Sequence, residues 1–224
     1  MSVSKQLALP FATAHPKRRR TSAQSGVRHR ARSPHCHRHP VHVTLRRLRH
    51  LPSMREPMLF LAMRRQFSRT ARSWFRVLQF SVQTDHIHLI VEAGDQSSLS
   101  RGMTGLLVRL ARALNRVLGR RGSVWSERFH SRRLKTPREV RNGLVYVLMN
   151  RRKHATLANG SSAHVGFDRC SSAWWFEGWA HPPSSGPPSP SDEPPVIAAT
   201  TWLAQVGWRY YGLIRAEESP RSSD

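Results

Sequence analysis

Acidic side chains are scarce in this chain. Thirteen Asp and Glu stand against 37 Lys and Arg in 224 residues, leaving a formal charge of +24. So positive a field attracts phosphate polymers, and Lys and Arg contacts to phosphate supply most non-specific nucleic-acid affinity. Cysteine is nearly absent: Cys36 and Cys170 cannot build a disulfide framework, which fits a reducing cytoplasm. Long apolar runs are missing as well. The longest, Met58 to Met63, falls far below the ~20 residues a membrane-spanning helix needs, so no membrane role is expected. At the N-terminus Lys5, the apolar stretch 7–14 and Ala12-Thr13-Ala14 imitate an export signal weakly. Pro10 interrupts that stretch and Lys17-Arg18-Arg19-Arg20 follows at once, so export is not expected. Tyrosine is rare too, with three in the chain.

What is present is unevenly spread. Residues 1–40 carry nine Lys or Arg and no acid, residues 41–157 carry 24 and six, and residues 158–224 carry four and seven. The middle segment is the most basic and has the sustained apolar periodicity of a domain. The first 40 residues, rich in Arg, His, Ser and Pro, lack the apolar surface to offset chain entropy and read as a disordered basic arm. Segment 158–195 reads as irregular, ending in the Pro/Ser linker PPSSGPPSPSDEPP. Segment 196–224 reads as a helical tail in which Trp202, Val206 and Trp208 form the buried stripe.

Within 41–157 the pattern predicts β, α, β, β, α, β, α. Val41 to Arg46 alternates as a strand does. Glu56 to Thr70 spaces Leu59, Phe60, Met63 and Phe67 helically. Phe75 to Gln83, with Phe75, Val77 and Gln79 on one side, then a turn at Thr84-Asp85 and His86 to Glu92, read as a hairpin. Ser98 to Leu118 is the longest helix, its stripe being Leu106, Leu107, Leu110, Leu114 and Val117, with Gly-rich sequence beyond it. Val124 to Leu134 is extended, and Pro137 starts a last helix, 138–155. This order predicts an α+β, ferredoxin-like sandwich, an antiparallel sheet with helices on one face.

Two features carry chemistry. His86-Ile87-His88 lies on a strand, where residues two apart share a face with Cα atoms ~6.5 Å apart, so both imidazoles can converge on one divalent metal. A polar sheet face is the other reading, and His35-Cys36-His37-Arg38-His39 repeats the spacing in the basic arm without apolar support. The second feature is Tyr146 with Asn150. Residues four apart share a helix face, a Tyr hydroxyl is a potential nucleophile, and a carboxamide oxygen can ligate a hard metal. An ordinary surface tyrosine is the alternative.

Together these residues are recognisable. HIHLIVEA, the stretch 122–131 (GSVWSERFHS) and YVLMNRRKHA resemble the HUH-type single-tyrosine transposases, in particular the REP-associated branch. In that family a His-hydrophobic-His pair and a Tyr-x-x-x-Asn/Gln form one active site. The resemblance spans roughly residues 40–157, and WWFEGW and TWL…GWRYYGLI resemble the family's C-terminal tail. Gln83-Thr84-Asp85 and Asn150-Arg151-Arg152-Lys153 depart from the family's usual runs beside the two motifs. The resemblance implies that His86, His88 and Asn150 hold Mg²⁺ or Mn²⁺. It implies that Tyr146 attacks a scissile phosphate to leave a 5′-phosphotyrosine and a free 3′-hydroxyl. Arg109, Arg112, Arg116, Arg120 and Arg121 would hold phosphates, with a solvated helix face as their other reading. Trp125 and Phe129 would stack bases or pack the core, flanked by Arg128, Arg132 and Arg133 as readers of base edges.

The expectation is therefore a cytoplasmic, metal-dependent endonuclease and strand transferase acting on single-stranded or hairpin DNA. A DNA-binding protein of the same fold without turnover is the runner-up, and a generic RNA-binding protein ranks last because it gives Tyr146, Asn150 and the His pair no reason to coexist.

Overall fold

A computed structural model describes residues 35–69, 72–150, 167–182, 193–218 and 220. The greater part of the basic arm, the stretch after Asn150 and most of the Pro/Ser linker lie outside the described residues. Four strands form one antiparallel sheet: β1 (Val41–Arg46), β2 (Phe75–Val82), β3 (His86–Ala93) and β4 (His130–Arg133), in the order β2-β3-β1-β4. Helix α1 (Pro57–Ser68) joins β1 to β2, and α2 (Gln96–Val117) joins β3 to β4. This is the ferredoxin-like α+β arrangement that the sequence predicts, except that the third helix lies on the opposite face of the sheet instead of all helices on one.

Alternation in the strands sorts their side chains. Val41, Val43 and Leu45 of β1 and Ile87, Leu89 and Val91 of β3 are all buried on one face. They meet Leu59, Met63 and Phe67 of α1 and Met103, Leu106, Leu110 and Leu114 of α2 in a continuous core. Leu107 is only partly buried and Val117 is 40% exposed, so the stripe on α2 is narrower than the sequence suggests. Asp95 caps α2 by accepting a hydrogen bond from the Ser98 amide, and Gly119 follows its end with φ of 60°.

A bulge between Val77 and Gln79 changes the register of β2 against β3. The sequence pattern groups Phe75, Val77 and Gln79. The inserted residue, Leu78, instead turns Gln79 to the other face, where it accepts a hydrogen bond from Ser172 Oγ.

That other face is covered by α3 (Pro137–Leu148), whose start is set by Pro137 and a reciprocal capping box between Thr136 and Glu139. The helix ends at Leu148, short of the predicted 155, and residues 151–155 lie outside the described residues. Val140, Leu144 and Leu148 pack with Leu78 and Ile90 of the sheet and with Trp179, Leu203, Trp208 and Ile214 from the C-terminal region. This second core seats α3. Arg141 adds a clamp, donating to the carbonyls of Gly212 and Leu213 and to the Glu218 carboxylate. A bidentate pair between Arg55 and Asp168 secures the C-terminal region at the start of α1.

The predicted tail helix is broken into α4 (Trp202–Gln205) and a 3₁₀ turn (Gly207–Tyr211). Its expected stripe is not buried as a unit: Trp208 is buried, whereas Trp202 is 54% and Val206 46% exposed. The break at Val206 rotates the following turn, so the three side chains no longer share one face. No helix among the described residues is long and apolar enough to cross a membrane.

Candidate active site

Because β3 buries Ile87, Leu89 and Val91 against α1 and α2, His86, His88, Ile90 and Glu92 point to the α3 side. Antiparallel pairing sets Thr44 opposite His88 and His42 opposite Ile90. Beyond β1, Arg132 of β4 stands opposite His42 and His130 opposite Thr44. One stretch of sheet thus gathers His86, His88, His42, Thr44, His130 and Arg132.

The rings form a connected cluster. His86 and His88 lie edge to face with centroids 4.7 Å apart. Tyr146, half-buried on α3, lies edge-on to His88 at 5.0 Å and to His42 at 5.5 Å. Asn150, on the turn beyond Tyr146, is buried, and among the described residues neither side-chain amide atom has a hydrogen-bond partner. An orphaned carboxamide in an interior is costly unless something absent from the chain satisfies it.

Each histidine of the pair is held at Nδ1. Asp85 Oδ1 lies 2.7 Å from His86 Nδ1. His88 Nδ1 lies 3.2 Å from both His42 Nε2 and Thr44 Oγ1. Such contacts fix ring orientation and leave Nε2 on the far edge of each ring, the arrangement found behind metal-ligating imidazoles. Burial pushes the Asp85 carboxyl upward, but its bond to His86 and the charges of His86 and Arg46 outweigh this and hold it below its ordinary value. His42 is pushed down to about 4, chiefly by burial and further by Arg132. It is therefore a neutral imidazole near neutral pH and can accept from His88. Among the described residues no group of three or more His, Cys, Asp or Glu is placed to hold a metal ion, so an ion here would rest on the two imidazoles and an amide.

His42, Thr44 and Asp85 are absent from the residues that the sequence singles out. Their signal was the alternation VHVTLR, which puts His42 and Thr44 opposite the aliphatic side of β1, and the carboxylate immediately before the His pair.

The proposed DNA contacts are dispersed. Arg109, Arg112 and Arg116 ride on α2, behind the sheet from Tyr146; Arg112 and Arg116 are exposed and Arg109 is half-buried. Arg120 donates to the Ser123 carbonyl in the loop after α2, and Arg121 and Arg128 are exposed. Arg132 shares the Tyr146 face and pairs with Glu139 at 3.1 Å, whereas Arg133, opposite Val41, points the other way. Of the two readings for Phe129, base stacking and core packing, the structure favours the second: it is 9% exposed and belongs to the core under α2. Trp125 is half-buried against the same core and donates from Nε1 to the Leu107 carbonyl.

Residues 33–141 match the family model described as "Transposase IS200 like". Just under half of the chain carries this likeness to IS200-like transposases. The match includes His86 and His88 and ends before Tyr146 and Asn150. Among solved structures, the chain is similar to a REP-associated tyrosine transposase bound to a REP hairpin. That likeness has 15% identity, covers 61% of this chain and 91% of the other, and has a TM-score of 0.44. No curated protein matches the chain.

Proposed function

We propose that this protein is a transposase that cleaves and rejoins single-stranded or hairpin DNA in the cytoplasm, with Tyr146 as nucleophile. Its Oη would form a bond to phosphorus as the bond from phosphorus to the 3′-oxygen breaks, leaving a 5′-phosphotyrosine and a free 3′-hydroxyl. Attack by a DNA 3′-hydroxyl would reverse the step, and strand transfer would need no ATP. The observation that carries this reading is the convergence of Tyr146 on His88 at 5.0 Å, with His86 beside it, from positions far apart in sequence.

The donor set fits a hard divalent ion, Mg²⁺ or Mn²⁺. His86 and His88 have their Nδ1 atoms engaged, and Asn150 has a buried carboxamide that wants a partner. His86, His88 and Asn150 would hold the ion, which when bound would polarise the scissile phosphate. Tyr146 presents its ring beside the pair, and His42, Thr44 and Asp85 keep the two imidazoles oriented. Arg132 supplies positive charge on the same face.

Tyr146→Phe tests the reading. It removes one oxygen and keeps the ring, so folding and hairpin affinity should be nearly unchanged. A covalent adduct, seen as a shift on a denaturing gel with a hairpin oligonucleotide labelled on the 3′ side of the cut and Mn²⁺ present, should vanish. Persistence of the adduct in Tyr146→Phe would refute the assignment. A parent chain that binds the hairpin and forms no adduct would favour the inert DNA-binding protein.

A further inference from the structure

We infer that a cleft at the far end of β3 is a second binding site, one that takes unpaired nucleotides of the DNA strand; the inference rests on the DNA-processing reading above. The cleft, of about 540 Å³, is walled by three stretches distant in sequence: 37–39, 73–76 and 200–203. Glu92, on its floor, shares a strand face with His88 four residues away, ~13 Å along the strand.

The chemistry of the walls is that of nucleotide recognition. Arg38 and Arg76 offer guanidinium groups, and His37 and His39 lie beside Arg38. Trp74 and Trp202 contribute indoles that are 37% and 54% exposed. The Arg101 guanidinium sits over the Trp74 ring at 5.0 Å, adding a third positive group behind that wall. Cationic groups beside aromatic faces are the combination that holds single strands, the phosphates pairing with Arg and the bases stacking. A duplex buries its base faces, so indole platforms select unpaired nucleotides.

The platform is built rather than loose. A Cβ placed on Gly207 would come within 2.7 Å of Trp202 Cζ3, so the ring lies directly against that backbone. Thr201 caps α4, which begins at Trp202. Among the described residues lining the cleft the one acid is Glu92, and its oxygens are engaged structurally. Glu92 accepts from the amides and hydroxyls of both Thr200 and Thr201 at 2.8–3.2 Å, which fastens the 200–203 wall to β3.

Fluorescence anisotropy on the full chain, without divalent metal so that no strand is cut, tests the site. One probe is a blunt hairpin; the others carry a single-stranded extension of about ten nucleotides on the 5′ or the 3′ side. One extension should tighten binding on the order of tenfold. Trp202→Ala and Arg76→Ala should each erase most of that gain and leave blunt-hairpin affinity unchanged, while Trp202→Phe should retain it. Should Trp202→Ala disturb α4, Arg76→Ala on the opposite wall decides. The cleft assignment is overturned if neither extension helps the parent, or if the gain survives Arg76→Ala. A parent that binds no probe at all refutes the DNA-processing reading itself, whereas a parent that binds the blunt hairpin without gain refutes the cleft alone.

Discussion

Nε2 of His42 lies 3.2 Å from Nδ1 of His88, joining β1 to the central strand through two side chains 46 positions apart. With His88 Nδ1–H as the donor, which leaves His88 Nε2 bare for an ion, His42 accepts through an unprotonated Nε2 and is neutral. The depressed pKa of His42 and its position behind the His pair are therefore two aspects of one arrangement.

That arrangement makes stability depend on pH. An unfolded histidine titrates near 6.5, while folded His42 is pushed down to about 4. Between these values the unfolded chain binds the extra proton, so stability contributed by neutral His42 is full above about 6.5 and is lost as pH falls toward 4. The loss should reach about 3 kcal/mol. His42→Gln should flatten this part of the profile, measured as urea midpoints from pH 7 to pH 4 in both proteins. Parallel profiles would show that His42 is not titrating as the geometry requires.

Asp85 offers a test of how His86 is held. Its carboxylate lies 2.7 Å from His86 Nδ1 and is 47% exposed, so Asp85→Asn should leave the fold intact. Losing the charged partner should weaken Mn²⁺ binding by about tenfold or more, as loss of an outer-shell partner does at other histidine sites. Titration of Mn²⁺ by electron paramagnetic resonance reads the affinity directly; equal affinity in Asp85→Asn would detach Asp85 from the site.

Gly102 gives a stability prediction of unusual sign. Replacing a helix-interior glycine by alanine ordinarily gains about 1 kcal/mol. On α2, however, a Cβ at Gly102 would run into the ring of Phe75 on β2. Gly102→Ala should therefore destabilise by about 2 kcal/mol, the cost of overpacking an interior contact. Thermal denaturation checks this, and a raised melting temperature would mean that α2 sits less tightly on the sheet than the contact implies.

Much of this molecule was legible in one dimension. The strand alternation in VHVTLR and HIHLIVEA, the apolar spacing on α1 and α2 and the start of α3 at Pro137 are local patterns, and local backbone geometry converts them into elements directly. The pair His86/His88 and the pair Tyr146/Asn150 were visible because each is a short spacing on one element. The tertiary structure decided the rest. Strand register brought His42 and Thr44 behind His88, a relation between residues more than 40 positions apart that no local period encodes. A single bulge at Leu78 reversed the side that Gln79 faces. The break at Val206 left Trp202 exposed beside a cleft while Trp208 went into the core, because the direction of a side chain after a bend depends on what the chain packs against rather than on its own spacing.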